Sequence, residues 1–262
     1  MSSTPENRAQ GVADQPRAQE SEWYNKHYQT SGNAASAAPL VEPELSKNLG
    51  PWYAFALPHL RKVLRRENRL LELGCGTGRL PTQLFREGLI PAENLFGLDQ
   101  SEVALDHARK TLPGAHLAVG DIYNLKFPRA HFDFVLLMEV IEHLEFPEAA
   151  LKQISAVTAP GGYLLISFPN FIHLPWLVVR ILSEKLNRPN WIVLQPIDKI
   201  YTVRDVRKLA EAAGFTFETA IGSNYGPPIL YPLERPWMTR VLNRLGLWWM
   251  SFHPIMVFKR NR

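Results

Sequence analysis

Apolar residues in this chain gather in short runs separated by longer stretches of mixed character. The runs are Leu70–Leu73, Asn94–Leu98, His116–Val119, Phe132–Met138, Tyr163–Phe168, Phe215–Ala220 and Ile255–Lys259. Runs of this length, rich in Leu, Val, Ile and Phe, predict strands. Phe132–Met138 is almost continuously apolar, as a central strand covered on both faces must be. Between the runs the spacing predicts helices at Pro51–Arg66 (apolar positions Phe55, Leu60, Val63 and Leu64), Pro81–Glu87, Val103–Thr111, Pro147–Val157 and Thr202–Ala213. Local punctuation agrees. Ser101 is placed as an N-cap, Pro147 suits a first helical turn, Thr202-Val203-Arg204-Asp205 reads as a capping box, and Gly214 stands where a helix ends. Strands alternating with helices predict an α/β domain.

The first strand runs straight into Gly74-Cys75-Gly76-Thr77-Gly78-Arg79. Glycines at alternate positions between a buried strand and a helix let the backbone turn tightly and approach a ligand without a Cβ clash. The helix that follows presents free N–H groups. A dinucleotide-binding turn reads G-x-G-x-x-G, but here residue 79 is Arg and the pattern closes at Gly78. Glu72, two residues before the first glycine, suits a cationic ligand better than a pyrophosphate. Asp99, about 20 residues beyond the last glycine, stands at the end of the second strand, where a carboxylate can accept a ribose.

LELGCGTG resembles the first motif of the class I S-adenosylmethionine (SAM)-dependent methyltransferases of the type 11 group. The resemblance is close from Leu70 to Asn170 and holds in outline beyond. It implies a Rossmann-like seven-stranded fold, mostly parallel, with an antiparallel last strand. It implies SAM as cofactor, bound by Glu72, Gly74, Cys75, Gly76 and Gly78, with Asp99 and Gln100 at the ribose. Asp121 would meet the adenine amine, the Ile122 backbone N–H the ring, and Met138 would line the same pocket. Trp23-Tyr24-Asn25-Lys26-His27-Tyr28 resembles a segment that folds over the cofactor, which makes Tyr24 and Tyr28 contact residues. The other reading of these aromatics is a simple anchor for the terminus.

Glu139-Val140-Ile141-Glu142-His143 follows the central strand. E-x-x-E-H resembles a metal-binding motif of the ubiquinone-biosynthesis O-methyltransferases and of RNA 3′-end 2′-O-methyltransferases. In that reading Glu139, Glu142 and His143 hold Mg²⁺. In a metal-free reading His143 and Glu142 are catalytic, as base or orienting groups, because a hydroxyl acceptor must lose its proton. The RNA branch completes its set with a further His, and Gln195–Thr202 contains none.

The 262 residues suffice for one large domain, expected at 23–262 behind a disordered tail at 1–22. Net charge +4 and a sequence pI near 9.2 permit an anionic partner without requiring one. The single Cys75 excludes an internal disulfide framework, and no signal peptide or membrane span is legible. A cytoplasmic protein is expected, with an apolar, Trp-bearing insertion at 171–196. Its stretch 171–194 is edged with basic residues and suits peripheral contact with the inner face of the membrane, a substrate lid, or packing on the domain itself. The function expected is methyl transfer to an oxygen, or to nitrogen or carbon, of a small hydrophobic or lipid-like molecule. The alternatives are an RNA 2′-O-methyltransferase, disfavoured by scattered basic residues, and a SAM-binding scaffold without catalysis. Acceptor and oligomeric state stay open.

Overall fold

The computed structural model describes residues 14–30, 51–170, 173, 177–178, 181–182, 185–186, 196–225 and 236–262. Its elements are α1 (Asp14–Thr30), α2 (Pro51–Val63), β1 (Leu70–Leu73), α3 (Arg79–Arg86), β2 (Leu95–Asp99), α4 (Glu102–Thr111), β3 (His116–Val119) and β4 (Phe132–Met138). They continue with α5 (Pro147–Val157), β5 (Thr158–Ser167), α6 (Val203–Ala212), β6 (Phe215–Ile221), α7 (Pro236–Arg244) and β7 (Ile255–Arg260).

The strands form one seven-stranded sheet in the order β3-β2-β1-β4-β5-β7-β6. β1 to β5 are parallel, and β7 runs antiparallel to both β5 and β6. The chain winds outward from β1 to β3 and then returns to place β4 on the other side of β1. At that reversal the loops after β1 and β4 diverge and leave a crevice at the carboxyl ends of the strands.

Alternation along the central strands divides the core. Leu71, Leu73, Val135 and Leu137 point to one face, against Leu151 and Ile154 of α5 and Val206 and Ala210 of α6. Leu70, Leu136 and Met138 point to the other, against Leu57 and Leu60 of α2 and Leu80 and Leu84 of α3. Each buried leucine stabilises the fold by about 2 kcal/mol through apolar burial. The helix ends follow side-chain chemistry: Ser101 Oγ accepts from the Ala104 N–H at 3.2 Å, and Thr202 and Asp205 form the reciprocal capping box.

The structure departs from the sequence reading in two places. Residues 14–22, expected within a disordered tail, belong to α1. Pro160-Gly161-Gly162, expected as a turn before the fifth strand, lies inside β5, where the pairing with β4 shifts register between Phe132 and Phe134. The extra residues form a bulge, and Gly161 takes φ 76° to make it. Most of the insertion at 171–196, including Trp176 and Trp191, lies outside the described residues. Among the described residues no helix is long and apolar enough to cross a membrane.

Candidate active site

The glycine turn closes the crevice from below. Gly74 and Cys75 donate their N–H groups to the Leu98 carbonyl at 2.7 and 3.2 Å, which ties the turn to the end of β2. Gly76 takes φ 51°, and a Cβ there would lie 2.6 Å from the Tyr28 hydroxyl oxygen. The turn is therefore pressed against an aromatic side chain of α1 as well as against the space in front of it.

That space is a cavity of about 490 Å³, within the range that accepts a drug-sized ligand. Twelve of the sequence-predicted residues line it: Tyr24, Tyr28, Gly74, Cys75, Gly76, Asp99, Gln100, Asp121, Ile122, Met138, Glu139 and His143. Glu72, Gly78 and Glu142 are not on its wall. Glu72 is buried within β1 behind the turn. Gly78 sits over α4, where a Cβ would come within 3.0 Å of Ala108 Cβ. A glycine is required there by its left-handed φ of 69° and by the close approach of α4.

Asp99 is already engaged. Its Oδ2 accepts from the Gly76 N–H at 2.7 Å and its Oδ1 from the Ser101 N–H at 2.8 Å. Burial raises its pKa, opposed by backbone hydrogen bonds from Ser101, Gly76 and Gln100. A carboxylate offers about four acceptor positions, so Asp99, on the cavity wall, keeps acceptor capacity beyond the bonds that hold the turn in shape. Asp121 Oδ1 accepts from the Tyr123 N–H at 2.9 Å, which fixes its loop on the opposite side. Burial pushes the Cys75 thiol up, away from any thiolate chemistry.

Helix α1 roofs the cavity. Its seat is polar: Asn25 Oδ1 accepts from the Ser101 hydroxyl at 2.7 Å, and the Ser21 hydroxyl reaches Gln100 at 3.3 Å. Tyr24 and Tyr28 point inward, and burial, first among the causes, raises both phenols above their ordinary values. Trp23 stacks on His27 at 5.1 Å, and the two rings meet Tyr24 and Tyr28 edge-on at 5.0 and 5.7 Å.

At the end of β4, Glu139 holds a left-handed backbone conformation, φ 55°. Outside glycine and asparagine this is costly and marks positions where structure is constrained by function. Its Oε1 accepts from the Ser167 hydroxyl at 2.6 Å, and its Oε2 lies 3.5 Å from His253 Nε2. Burial raises the Glu139 carboxyl to about 7, against the lowering effect of Ser167. His253 Nδ1 lies 3.0 Å from the Asn224 side-chain nitrogen. An amide nitrogen can only donate, which leaves Nδ1 as acceptor and assigns the ring proton to Nε2, facing Glu139. Burial lowers His253 to about 3, so the ring is neutral.

The expected metal set does not assemble. Glu142 is buried, with Oε1 3.5 Å from His143 Nε2, while His143 Nδ1 meets the Ile197 carbonyl at 2.7 Å. Among the described residues no three carboxylate, imidazole or thiolate groups converge to hold an ion, which corrects the Mg²⁺ expectation. Burial, then the neighbouring Glu139, pushes Glu142 well up, and burial lowers His143.

Sequence reasoning missed His253, Asn224, Ser167 and Asn25. His253 is 114 positions beyond Glu139 and lies in no motif; only the antiparallel return of β7 beside β5 brings it there. Asn25 stood inside the aromatic cluster that drew attention to its neighbours.

Comparison with known proteins agrees with this geometry. A model of the methyltransferase domain family matches residues 71–166. An uncharacterised methyltransferase of Schizosaccharomyces pombe is 31% identical over 117 residues, covering 40% of this chain and 41% of that protein. The ubiquinone biosynthesis O-methyltransferase of Coxiella burnetii is 31% identical over 114 residues, covering 42% and 47%. The chain thus spans about half the length of the curated relatives it matches. Among solved structures, a SAM-dependent methyltransferase from Thermotoga maritima superposes with TM-score 0.63 at 19% identity, covering 92% of this chain and 99% of that one. Residues 71–166 are therefore a methyltransferase domain, carried on the fold of the SAM-dependent methyltransferases.

Proposed function

We propose that the chain is a SAM-dependent methyltransferase acting on a hydroxyl oxygen of a small hydrophobic molecule. The observation that carries this reading is one cavity walled by the Gly74–Gly76 turn, Asp99 and Asp121, with Glu139 on the same wall. The residues fit the cofactor. Asp99 would take the ribose, the Asp121–Ile122 loop the adenine, and the glycine turn the amino-acid portion. SAM supplies, when bound, a methyl group on a sulfonium that an acceptor displaces in line. The chain's own work is alignment and exclusion of water, performed by the turn below and by Tyr24 and Tyr28 above.

A hydroxyl acceptor also needs a group to take its proton. Glu139 is placed to do so, because it faces the cavity and its oxygens are oriented by Ser167 and by the Nε2–H of His253. With a pKa raised to about 7, it is half deprotonated near neutrality and basic enough to draw a proton. His143, on the same wall and fixed by the Ile197 carbonyl, orients the acceptor, with Glu142 behind it. The relative named a ubiquinone biosynthesis O-methyltransferase supports oxygen as the acceptor atom.

The test is methyl-radiolabelled SAM incubated with protein and cell extract, followed by partition into organic, aqueous and RNA fractions. Label in the organic phase supports the proposal. Label in RNA alone, or SAM bound with no label transferred, rejects it in favour of an RNA enzyme or a scaffold.

A further inference from the structure

Helix α7 is turned inside out. Its polar side faces the protein: Thr239 is buried, and Asn243 makes two hydrogen bonds with Gly222. Asn243 Oδ1 accepts from the Gly222 N–H at 2.6 Å, and its side-chain nitrogen donates to the Gly222 carbonyl at 2.9 Å. Thr239 and Asn243 are four residues apart, one helical turn, so they define the inward stripe. The opposite stripe, Trp237, Val241 and Leu245, follows the same spacing and is exposed by 59%, 44% and 66%. Met238 is exposed beside it. Gly246 then turns the chain into the 3₁₀ turn Leu247–Met250, where Trp248 packs on Phe217 while Trp249 and Met250 are exposed.

Trp237 and Trp249 face outward. A water-facing helix buries its apolar stripe; this one is anchored through the Asn243 amide and presents the stripe to something else.

The charge pattern indicates what that is. Residues 236–253 contain Arg240 and Arg244 and no Asp or Glu. Both arginines are exposed, on the flank of the stripe next to Trp237. Two copies meeting through this face would bring four arginines together with no acid in the segment to pair them. An anionic lipid surface offers phosphates to the arginines, an acyl boundary to Val241 and Leu245, and the headgroup level at which Trp is favoured. A second apolar segment leaves the domain nearby. The Asn170 side chain donates to the Trp249 and Ser251 carbonyls at 2.8 and 3.0 Å, so the 3₁₀ turn is pinned where the 171–196 insertion begins, in which Val178, Ile181, Leu182 and Leu186 are exposed.

We propose that α7 and the turn Leu247–Met250 form a docking surface for anionic phospholipid membranes, with Trp237, Val241, Leu245, Trp249 and Met250 at the headgroup–acyl boundary and Arg240 and Arg244 on lipid phosphates. The proposal does not depend on the chemistry at the cavity.

The experiment is co-sedimentation of the full chain with vesicles of phosphatidylcholine alone and of phosphatidylcholine with about a third phosphatidylserine. Binding is expected to the anionic vesicles only and to weaken with salt. The triple variant Trp237→Ser, Val241→Ser, Leu245→Ser and the double variant Arg240→Glu, Arg244→Glu should each bind roughly tenfold or more weakly. SAM affinity, measured by calorimetry, should be unchanged in both variants, which shows that the fold is intact. Three results overturn the proposal. One is absence of binding to anionic vesicles. Another is binding unaltered in the triple variant but lost in Trp176→Ser, Leu177→Ser, which would assign the contact to the insertion alone. The third is a concentration-dependent dimer that the triple variant dissolves, with no vesicle binding by the wild type.

Discussion

Glu139→Gln is the perturbation that separates a base from a bystander. The carboxyl is raised from an ordinary value of 4.5 to about 7, with burial as the main cause. As a base it must be deprotonated. The apparent kcat should therefore rise about tenfold per pH unit up to pH ~7 and level off above. At pH 6 only about a tenth of the molecules would be competent. Gln keeps the shape and cannot take a proton, so kcat should fall by about 10²–10⁴ at pH 8, and the pH dependence should vanish from what remains. KM for SAM should stay within about twofold, because Glu139 is not assigned to the cofactor.

Stability should move the other way. A carboxyl with a raised folded pKa binds its proton in the folded state first, so between about pH 4.5 and 7 stability falls as pH rises. Above pH 7 the folded protein carries a poorly hydrated charge that Gln removes. A shift of this size corresponds to about 3 kcal/mol, and the side chain retains 18% exposure, which reduces the expectation to about 2 kcal/mol. Denaturant unfolding at pH 8 should therefore show Glu139→Gln to be more stable than wild type by that order, with no gain at pH 4. The readout is a pair of curves, initial rate and unfolding midpoint, each from pH 5.5 to 8.5. A flat wild-type rate profile, or a Gln variant with wild-type kcat, would refute the reasoning.

Other outcomes follow from the same geometry. Gly76→Val forces a branched residue to φ 51° and drives its Cβ into the Tyr28 hydroxyl; the backbone alone costs about 1–2 kcal/mol, and calorimetry should show SAM affinity lowered by more than tenfold. Asp99→Ala strips the Gly76 and Ser101 N–H groups of their acceptor, at about 1–3 kcal/mol for each one left unsatisfied; thermal unfolding should shift down and SAM binding should be lost together. Leu136→Ala, in the middle of β4 and fully buried, should cost about 2–5 kcal/mol in urea unfolding while leaving the SAM affinity of the folded fraction intact.

The sheet was legible because its information is local. Phe132–Met138, His116–Val119 and Pro147–Val157 run over the residues that the apolar spacing predicts, and Ser101 and Thr202 cap the helices as their chemistry requires. The Pro160–Gly162 bulge was misread because proline and glycine signal a break in both a turn and a bulge, and only pairing with β4 distinguishes them. The cavity wall was legible wherever one loop carries it, as with Gly74–Gly76 and Asp121–Ile122. The Glu139–His253–Asn224 chain was not, because it depends on β7 lying between β5 and β6, and sequence spacing holds no trace of that juxtaposition. Glu139 itself was singled out, but for a metal. E-x-x-E-H places two carboxylates and an imidazole near one another along the chain, but among the described residues no three such groups converge on a common point, and Glu139 is engaged by Ser167 instead.

The central claim, that one cavity binds SAM and delivers a methyl group to a hydroxyl, is tested most directly by a pair of readings on wild-type protein. SAM binding is measured by calorimetry, and label transfer from methyl-radiolabelled SAM is measured in the organic fraction of cell extract. The account predicts one SAM site per chain and label recovered on an oxygen of a small hydrophobic molecule. SAM bound at full stoichiometry with no label on any acceptor would contradict it.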